Sequence, residues 1–406
     1  MSEKRRDNKG RILRTGESQR KDGRYAYKYT DAYGKPKFVY SWKLVATDKT
    51  PAGKRDDVAL RDKEDEIRND IKDGIDPTGK KMTVCQLYIK HTGLKKNVKH
   101  GTEKGRRYLL KLLEEDPIGA KSIDSVKQSD AKSWAIRMSE KGYGYQTIKN
   151  HQRSLKAAFY MAIEDDYIRK NPFLFKLDTV IEDDRKKRVI LTPAQEESLL
   201  AFTQNDPVYS QYYDEILILL ETGLRISELC GFTTKLDFQN RIIHVDHQLL
   251  RDSEIGYYID IPKTESGQRQ LHMNDKVYEA LQRVIKKRGK VQTITVDGYS
   301  DFLFLNRKGL PKVAANYDIM VKGLVQKYNK QHEEPLPNVT PHTFRHTFCT
   351  RMADAGMNPK ALQYIMGHAS IQMTLDYYAH ASFESAKSEM VRIEAAKDAV
   401  NQTIAA

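Results

Sequence analysis

The sequence contains no apolar run approaching the roughly 20 residues that a membrane-spanning helix requires, so no membrane span is expected. It opens on Met1-Ser2-Glu3-Lys4-Arg5-Arg6, which has none of the apolar character of a secretory signal. Cysteine is scarce: Cys85, Cys230 and Cys349 are scattered, with no Cys-x-x-Cys pair. That scarcity argues against a disulfide framework or a cysteine zinc site and suits a reducing cytoplasm. Internal repeats are also missing. The 406 residues suffice for two or three domains, each with its own core.

Positive charge is what the chain has in excess. Lys and Arg number 69 against 55 Asp and Glu, a formal net charge of +14. The surplus is uneven, because residues 1–55 hold 16 basic and 6 acidic residues. A positive field concentrated in so short a stretch favours a polyanion such as DNA. The plainer alternative is a solvated basic tail.

Residues 1–20 are polar and basic and read as flexible. From Gly23 the pattern changes to Arg24–Tyr29, a Gly/Pro turn around Gly34 and Pro36, and Lys37–Ala46. These β-branched and aromatic runs predict a hairpin, extending to three strands, followed by a helix over 56–72 carrying Val58, Leu60, Ile67 and Ile71. A sheet that interleaves Arg24, Lys28, Lys37 and Lys43 with aromatics fits a DNA groove; the alternative makes its tyrosines a small core. Asp73–Gly79 closes this unit as a linker. Residues 82–173 read as all-helical, with Thr83 capping the first helix and others over 102–113, 129–141 and 145–164. Basic residues cluster at Lys95, Lys96, Lys99, Lys104, Arg106 and Arg107, and again at Lys149, Arg153 and Lys156, a second candidate DNA surface. After the charged linker 182–188, Thr192-Pro193 is a helix start. Strands are predicted over 241–247, 257–262 and 268–273, the last two joined across Ser266-Gly267, giving a three-stranded sheet. Helices follow over 312–330, 343–355, 358–366 and 383–404, the last with Phe383, Met390, Ile393, Val400 and Ile404 on one stripe. The expected fold is multidomain and mainly α with small β-sheets. It comprises an N-terminal three-stranded β unit plus helix (1–80), a helical bundle (81–180) and a mixed α/β domain (189–406).

Three segments carry chemistry. They are Thr222-Gly223-Leu224-Arg225-Ile226-Ser227-Glu228, Thr340-Pro341-His342-Thr343-Phe344-Arg345-His346, and Gly367-His368 followed by Tyr377, Tyr378 and His380. Two arginines, two or three histidines and a tyrosine supply cations for phosphate oxygens, proton carriers and an oxygen nucleophile. Taken singly, Arg225 reads as an ion-pair partner of Glu228, and His368 as a buried, hydrogen-bonded histidine. His342 and Arg345 are three apart at a helix start, which places them on one face and adds partial positive charge towards an anion. Zinc fits poorly. His342 and His346 have a metal-binding spacing, but Thr343 stands where the metalloprotease motif has Glu, and no third ligand is near. His244 and His247 point to opposite faces of their strand. No cofactor is expected.

The order Arg225, His342-x-x-Arg345, Gly367-His368, Tyr378 resembles the tyrosine recombinase (integrase) family. Over its whole length the chain resembles integrases of conjugative transposons from Gram-positive bacteria. The resemblance implies that Arg225, Arg345 and His368 stabilise the phosphate, that His342 takes the tyrosine proton and that Lys263 protonates the leaving oxygen. Its Thr374-x-x-x-Tyr378-x-His380 spacing selects Tyr378 over Tyr377 as nucleophile. It makes Glu228 an orienting support and Arg269 a DNA-backbone contact, and assigns the three domains to arm-site binding, core-site binding and catalysis. It further implies a homotetramer on double-stranded DNA, an excisionase, a host DNA-bending protein, and a last helix that docks on a neighbouring protomer. The implied activity is site-specific recombination through a 3′-phosphotyrosyl intermediate, in a cytoplasmic, nucleoid-associated protein. The alternatives are a type IB topoisomerase-like enzyme and a non-catalytic DNA-binding regulator.

Overall fold

The computed structural model describes residues 5–30, 36–72, 81–96, 98–185, 189–262 and 267–378, with Lys387, Met390, Val391 and Glu394 beyond them. The proposed linker 73–79, Lys263, His380 and most of the predicted last helix lie outside the described residues. The chain divides into two compact units, residues 1–186 and 187–406. Among the described residues no helix is long and apolar enough to cross a membrane.

The first unit begins with strands β1 (Glu17–Gln19), β2 (Tyr25–Thr30) and β3 (Pro36–Ser41), antiparallel in that order, and helix α1 (Leu60–Lys72). Alternation sends Tyr25 and Tyr27 inward onto Leu44 and Leu60, while Lys28, paired with Phe38, faces out. Residues 5–20 are ordered, contrary to expectation. Buried Asp7 accepts from Arg11 and Tyr25, and buried Glu17 from Arg61 and the Arg14 amide. Ion pairs thus give a polar segment the contacts that its composition denies it. The third strand stops at Ser41 because Ser41 Oγ bonds the Lys43 amide and the Val58 carbonyl, and Asp48 then caps the amides of Leu44 and Val45. Val58 and Ile71, expected on the buried helix face, are exposed.

Helices α2 (Val84–Gly93), α3 (His100–Glu114), α4 (Gln128–Glu140) and α5 (Tyr145–Glu164) form the bundle. Thr83 caps α2, as its hydroxyl predicts. Trp134 meets Phe173 edge-on at 5.7 Å in a core shared with Leu87, Leu113, Leu155 and Phe159.

The second unit runs α6 (Pro193–Asn205), α7 (Tyr213–Thr222), α8 (Ile226–Cys230), β4 (Ile242–Val245), β5 (Gln248–Asp252), β6 (Gly256–Asp260), β7 (Arg269–His272), α9 (Asp275–Arg288), α10 (Ala314–Gln331), α11 (Pro341–Asp354), α12 (Pro359–Met366) and α13 (Ile371–Leu375). The predicted three-stranded sheet is corrected. Two separate antiparallel pairs form, β4 with β7 and β5 with β6. The segment 269–272 therefore pairs with 242–245 and not with 257–260, and β5 was missed. Strand partners are chosen by burial across the fold, which local alternation does not encode. Helix α7 is apolar on nearly every side, and it packs against α9 and α11.

Gly223 ends α7 with φ +63, and a Cβ built there would lie 2.4 Å from the Phe348 ring. Gly223→Ala therefore combines left-handed strain with overpacking. It is expected to destabilise the second unit by about 2 kcal/mol. Urea unfolding of the variant beside wild type measures this, and an unchanged midpoint refutes it.

Candidate active site

Helix ends build this site. Three C-terminal carbonyls, left without partners inside their own helices, carry partial negative charge and attract guanidinium groups. Past Gly223 the chain turns, Leu224 is buried, and Arg225 becomes the residue that starts α8. The Arg225 amide donates to Glu228 Oε2 at 2.8 Å, its Nη1 to Glu228 Oε1 at 2.7 Å, and its Nη2 to the Gly367 carbonyl at 2.9 Å. Arg345, in the first turns of α11, is buried. Its Nη1 donates to the Gly223 carbonyl at 2.7 Å and its Nη2 to the Met366 carbonyl. The two arginines are thus tied to the ends of α7 and α12.

Gly367 closes α12 in the left-handed region, with φ +59, and delivers His368. His368 is buried, its Nδ1 lies 2.9 Å from the Thr374 hydroxyl, and its ring stacks near-parallel to Tyr377. The reading of His368 as a buried, hydrogen-bonded histidine holds. Tyr377 places its hydroxyl 2.5 Å from His346 Nδ1, whose ring neighbours His342 at 6.4 Å. Tyr378 packs beside Phe348 and Met366 and donates its hydroxyl to the Met357 carbonyl at 2.5 Å.

Burial opposes ionisation of Glu228, but the Arg269 pair, then Arg225 and Arg345, overcome it and hold the carboxyl at about 2. Burial and the Arg225 charge lower Arg345 to about 9, so it stays cationic at neutral pH. His342 stands at the surface, yet desolvation by its neighbours and then the Arg345 charge lower its pKa and favour the neutral imidazole. Burial, then Cys349, raises that of Tyr378.

Arg225, His342, Arg345 and His368 therefore gather around α8, α11 and α12, whereas the Tyr378 hydroxyl is turned onto the Met357 carbonyl and it is Tyr377 that bonds His346. Lys263 lies outside the described residues. Arg269 requires correction. Its side chain is fully buried, donates both Nη groups to Glu228 at 3.0 and 2.8 Å and cannot reach DNA in this arrangement. A basic residue beside a turn looks solvent-facing in sequence, and only its alternation within β7 hinted otherwise.

On the first unit, Arg24 lies 5.6 and 5.5 Å over the rings of Tyr40 and Trp42, and Lys28 lies 6.0 Å over Phe38. Arg20 over Tyr40 and Lys54 over Trp42, both missed, join this cationic aromatic surface. Lys37 pairs with Tyr29, on the opposite sheet face from Lys28, and Lys43 is held by Asp56 at 2.9 Å. Neither joins that surface. Lys95 and Lys96 line an open groove of about 420 Å³ with Arg106 and Arg107. Lys99 immediately precedes α3, while Lys149 and Arg153 follow one another along α5 at four-residue spacing.

Residues 190–385 match the phage integrase family, and residues 1–71 match the DNA binding domain of Tn916 integrase. The chain is 63% identical over 398 residues to the transposase from transposon Tn916 of Enterococcus faecalis, covering 98% of each. It is 24% identical over 317 residues to tyrosine recombinase XerC of Bacillus pumilus, covering 75% of this chain and 94% of that one. Among solved structures, the Tn1549 transposon integrase in complex with a circular intermediate DNA superposes with a TM-score of 0.74 at 61% identity. It covers 77% of this chain and 99% of that one.

Glu228 has a folded pKa of about 2 against an ordinary 4.5, so its ionisation stabilises the fold above pH 4.5 and that contribution is lost as pH falls towards 2. Glu228→Gln, which strands Arg269 in the interior, is expected to cost about 3 kcal/mol at pH 7. The gap between variant and wild type should close over pH 4.5 to 2. Chemical denaturation at stepped pH tests both, and a gap independent of pH refutes the assignment.

Proposed function

Because the chain belongs to the phage integrase family and is a tyrosine site-specific recombinase, we propose that it cuts and rejoins double-stranded DNA at the cluster around Arg225 and Arg345. Tyr378 Oη attacks the scissile phosphorus, the bond to the 5′ oxygen breaks, and a 3′-phosphotyrosyl link and a 5′-hydroxyl result. The 5′-hydroxyl of a partner strand then attacks that link, frees Tyr378 and restores a phosphodiester. One phosphoester replaces another at each step, so no external energy source is required.

Charge develops on the nonbridging oxygens in each step, and preorganised donors act most strongly in a site already built for them. The anchoring of both arginines by helix-end carbonyls is the observation that carries this reading. Among the described residues, the bonds to Glu228 and Gly367 use two of Arg225's five side-chain N–H groups, and the rest can meet a phosphate. His368 assists them. His342, kept neutral, accepts the Tyr378 proton, and Lys263 donates one to the departing 5′ oxygen.

The assignment of residues 1–80 to arm sites, 81–180 to core sites and 189–406 to catalysis extends the same reading. The Arg24, Lys28, Phe38, Tyr40 and Trp42 surface supports the first, and the groove at Lys95 and Lys96 the second. A homotetramer working through a Holliday junction, with an excisionase and a host DNA-bending protein, completes the proposed assembly. Its location is cytoplasmic, on the nucleoid.

Tyr378→Phe should bind core-site DNA like wild type and form no covalent adduct on a nicked suicide substrate, whereas Tyr377→Phe should keep adduct formation. The reverse outcome would move the nucleophile to Tyr377, whose hydroxyl bonds His346.

Deleting residues 1–80 should abolish arm-site binding and spare cleavage of a core site. On DNA carrying both sites, the log–log salt slope should fall by about 0.9 for each phosphate contact removed. Equal slopes for the two proteins would exclude an N-terminal DNA module.

A further inference from the structure

Arg269 takes no part in the steps above, yet its guanidinium is fully buried beside them. Both Nη groups bond Glu228, and Nε donates to the Ile365 carbonyl at 2.5 Å in the last turn of α12. The next residue, Gln270, donates its amide to the Tyr364 hydroxyl at 3.0 Å. Strand β7 therefore grips the end of α12 immediately before the Met366 and Gly367 carbonyls that hold Arg345 and Arg225.

We propose that Arg269 is a positioning residue for phosphodiester cleavage: by occupying both Glu228 oxygens it keeps that carboxylate from closing on Arg225 and leaves Arg225 directed at the phosphate. This rests on the recombinase reading given above. Oε1 accepts from Arg225 Nη1 and Arg269 Nη1, and Oε2 accepts from the Arg225 amide and Arg269 Nη2. Remove Arg269, and each oxygen of a buried carboxylate loses a charged donor. Arg225 is the adjacent cation able to replace it, since its side chain is 31% exposed and already makes one bond to Oε1. Guanidinium and carboxylate prefer two parallel bonds, so the replacement pair draws Arg225 inward, away from where a phosphate would sit. A buried cation is expensive to leave without its anion, so Arg269 and Glu228 stand or fall together.

A structural pin and a positioning residue predict different behaviour for paired variants. On a nicked core-site suicide substrate, under single turnover, Arg269→Met should slow cleavage about 100-fold, the scale of losing one transition-state donor. Its affinity for the same DNA should stay within about threefold, because only the single Arg225 contact is displaced among the many that hold the duplex. Adding Glu228→Gln to Arg269→Met should restore cleavage by about tenfold, since a neutral amide no longer captures Arg225 and no unpaired charge remains inside. The Arg269→Met defect should also shrink on a scissile methylphosphonate, which lacks the anionic oxygen that Arg225 meets. A double variant no faster than Arg269→Met, or Arg269→Met cleaving like wild type, would overturn the proposal. If Arg269→Met does not melt cooperatively, the equally uncharged Arg269→Gln decides: slowed cleavage rescued by Glu228→Gln supports it, and unrescued or undiminished cleavage overturns it. Wild type failing to form an adduct would instead overturn the recombinase reading and this proposal with it.

Discussion

One buried carboxylate organises the second unit. Glu228 receives Arg269 on both oxygens and Arg225 on one, with the Arg225 amide on the other, and it feels the charge of Arg345 as well. Several cations around a single anion leave an uncompensated positive field. In most proteins such an excess in the interior is a liability, because desolvation is only partly repaid. Here the remaining charge is spread onto helix-end carbonyls, which are weak acceptors on their own but come already aligned. The deficit of negative charge is what a phosphate would fill.

Packing keeps that arrangement rigid. Gly223 and Gly367 both adopt left-handed conformations, and each turn presents a carbonyl to a different arginine. Phe348 presses against Gly223 so closely that no side chain fits between them. The site therefore depends on two glycines for shape and on apolar contacts from α11 for support.

Much of this was legible in the chain. Helix α5 spans the expected 145–164, because its buried positions recur at helical spacing over twenty residues. Thr83 and Thr192 announce their helices through short-range hydrogen bonds that sequence alone encodes. The ordered motifs around Arg225, His342, Arg345 and His368 picked out residues that the fold brings near one another. Long-range choices were the illegible part. Whether 269–272 pairs with 242–245 or with 257–260 depends on which face is buried, and Arg269 followed its strand inward for the same reason. The order of residues 5–20 was hidden too, since Asp7 and Glu17 find Arg11, Tyr25 and Arg61 only in three dimensions.

The bond from the Tyr378 hydroxyl to the Met357 carbonyl sets a limit on self-restraint. A neutral hydrogen bond exchanged with water contributes about 1 kcal/mol net, a population ratio of about five to one. A docked phenol is thus released a sizeable fraction of the time, on the timescale of side-chain motion. Docking therefore withholds the Tyr378 hydroxyl by less than about tenfold and cannot act as a lock. For the proposed reaction, restraint would then come from the encounter with DNA rather than from a latch on the tyrosine.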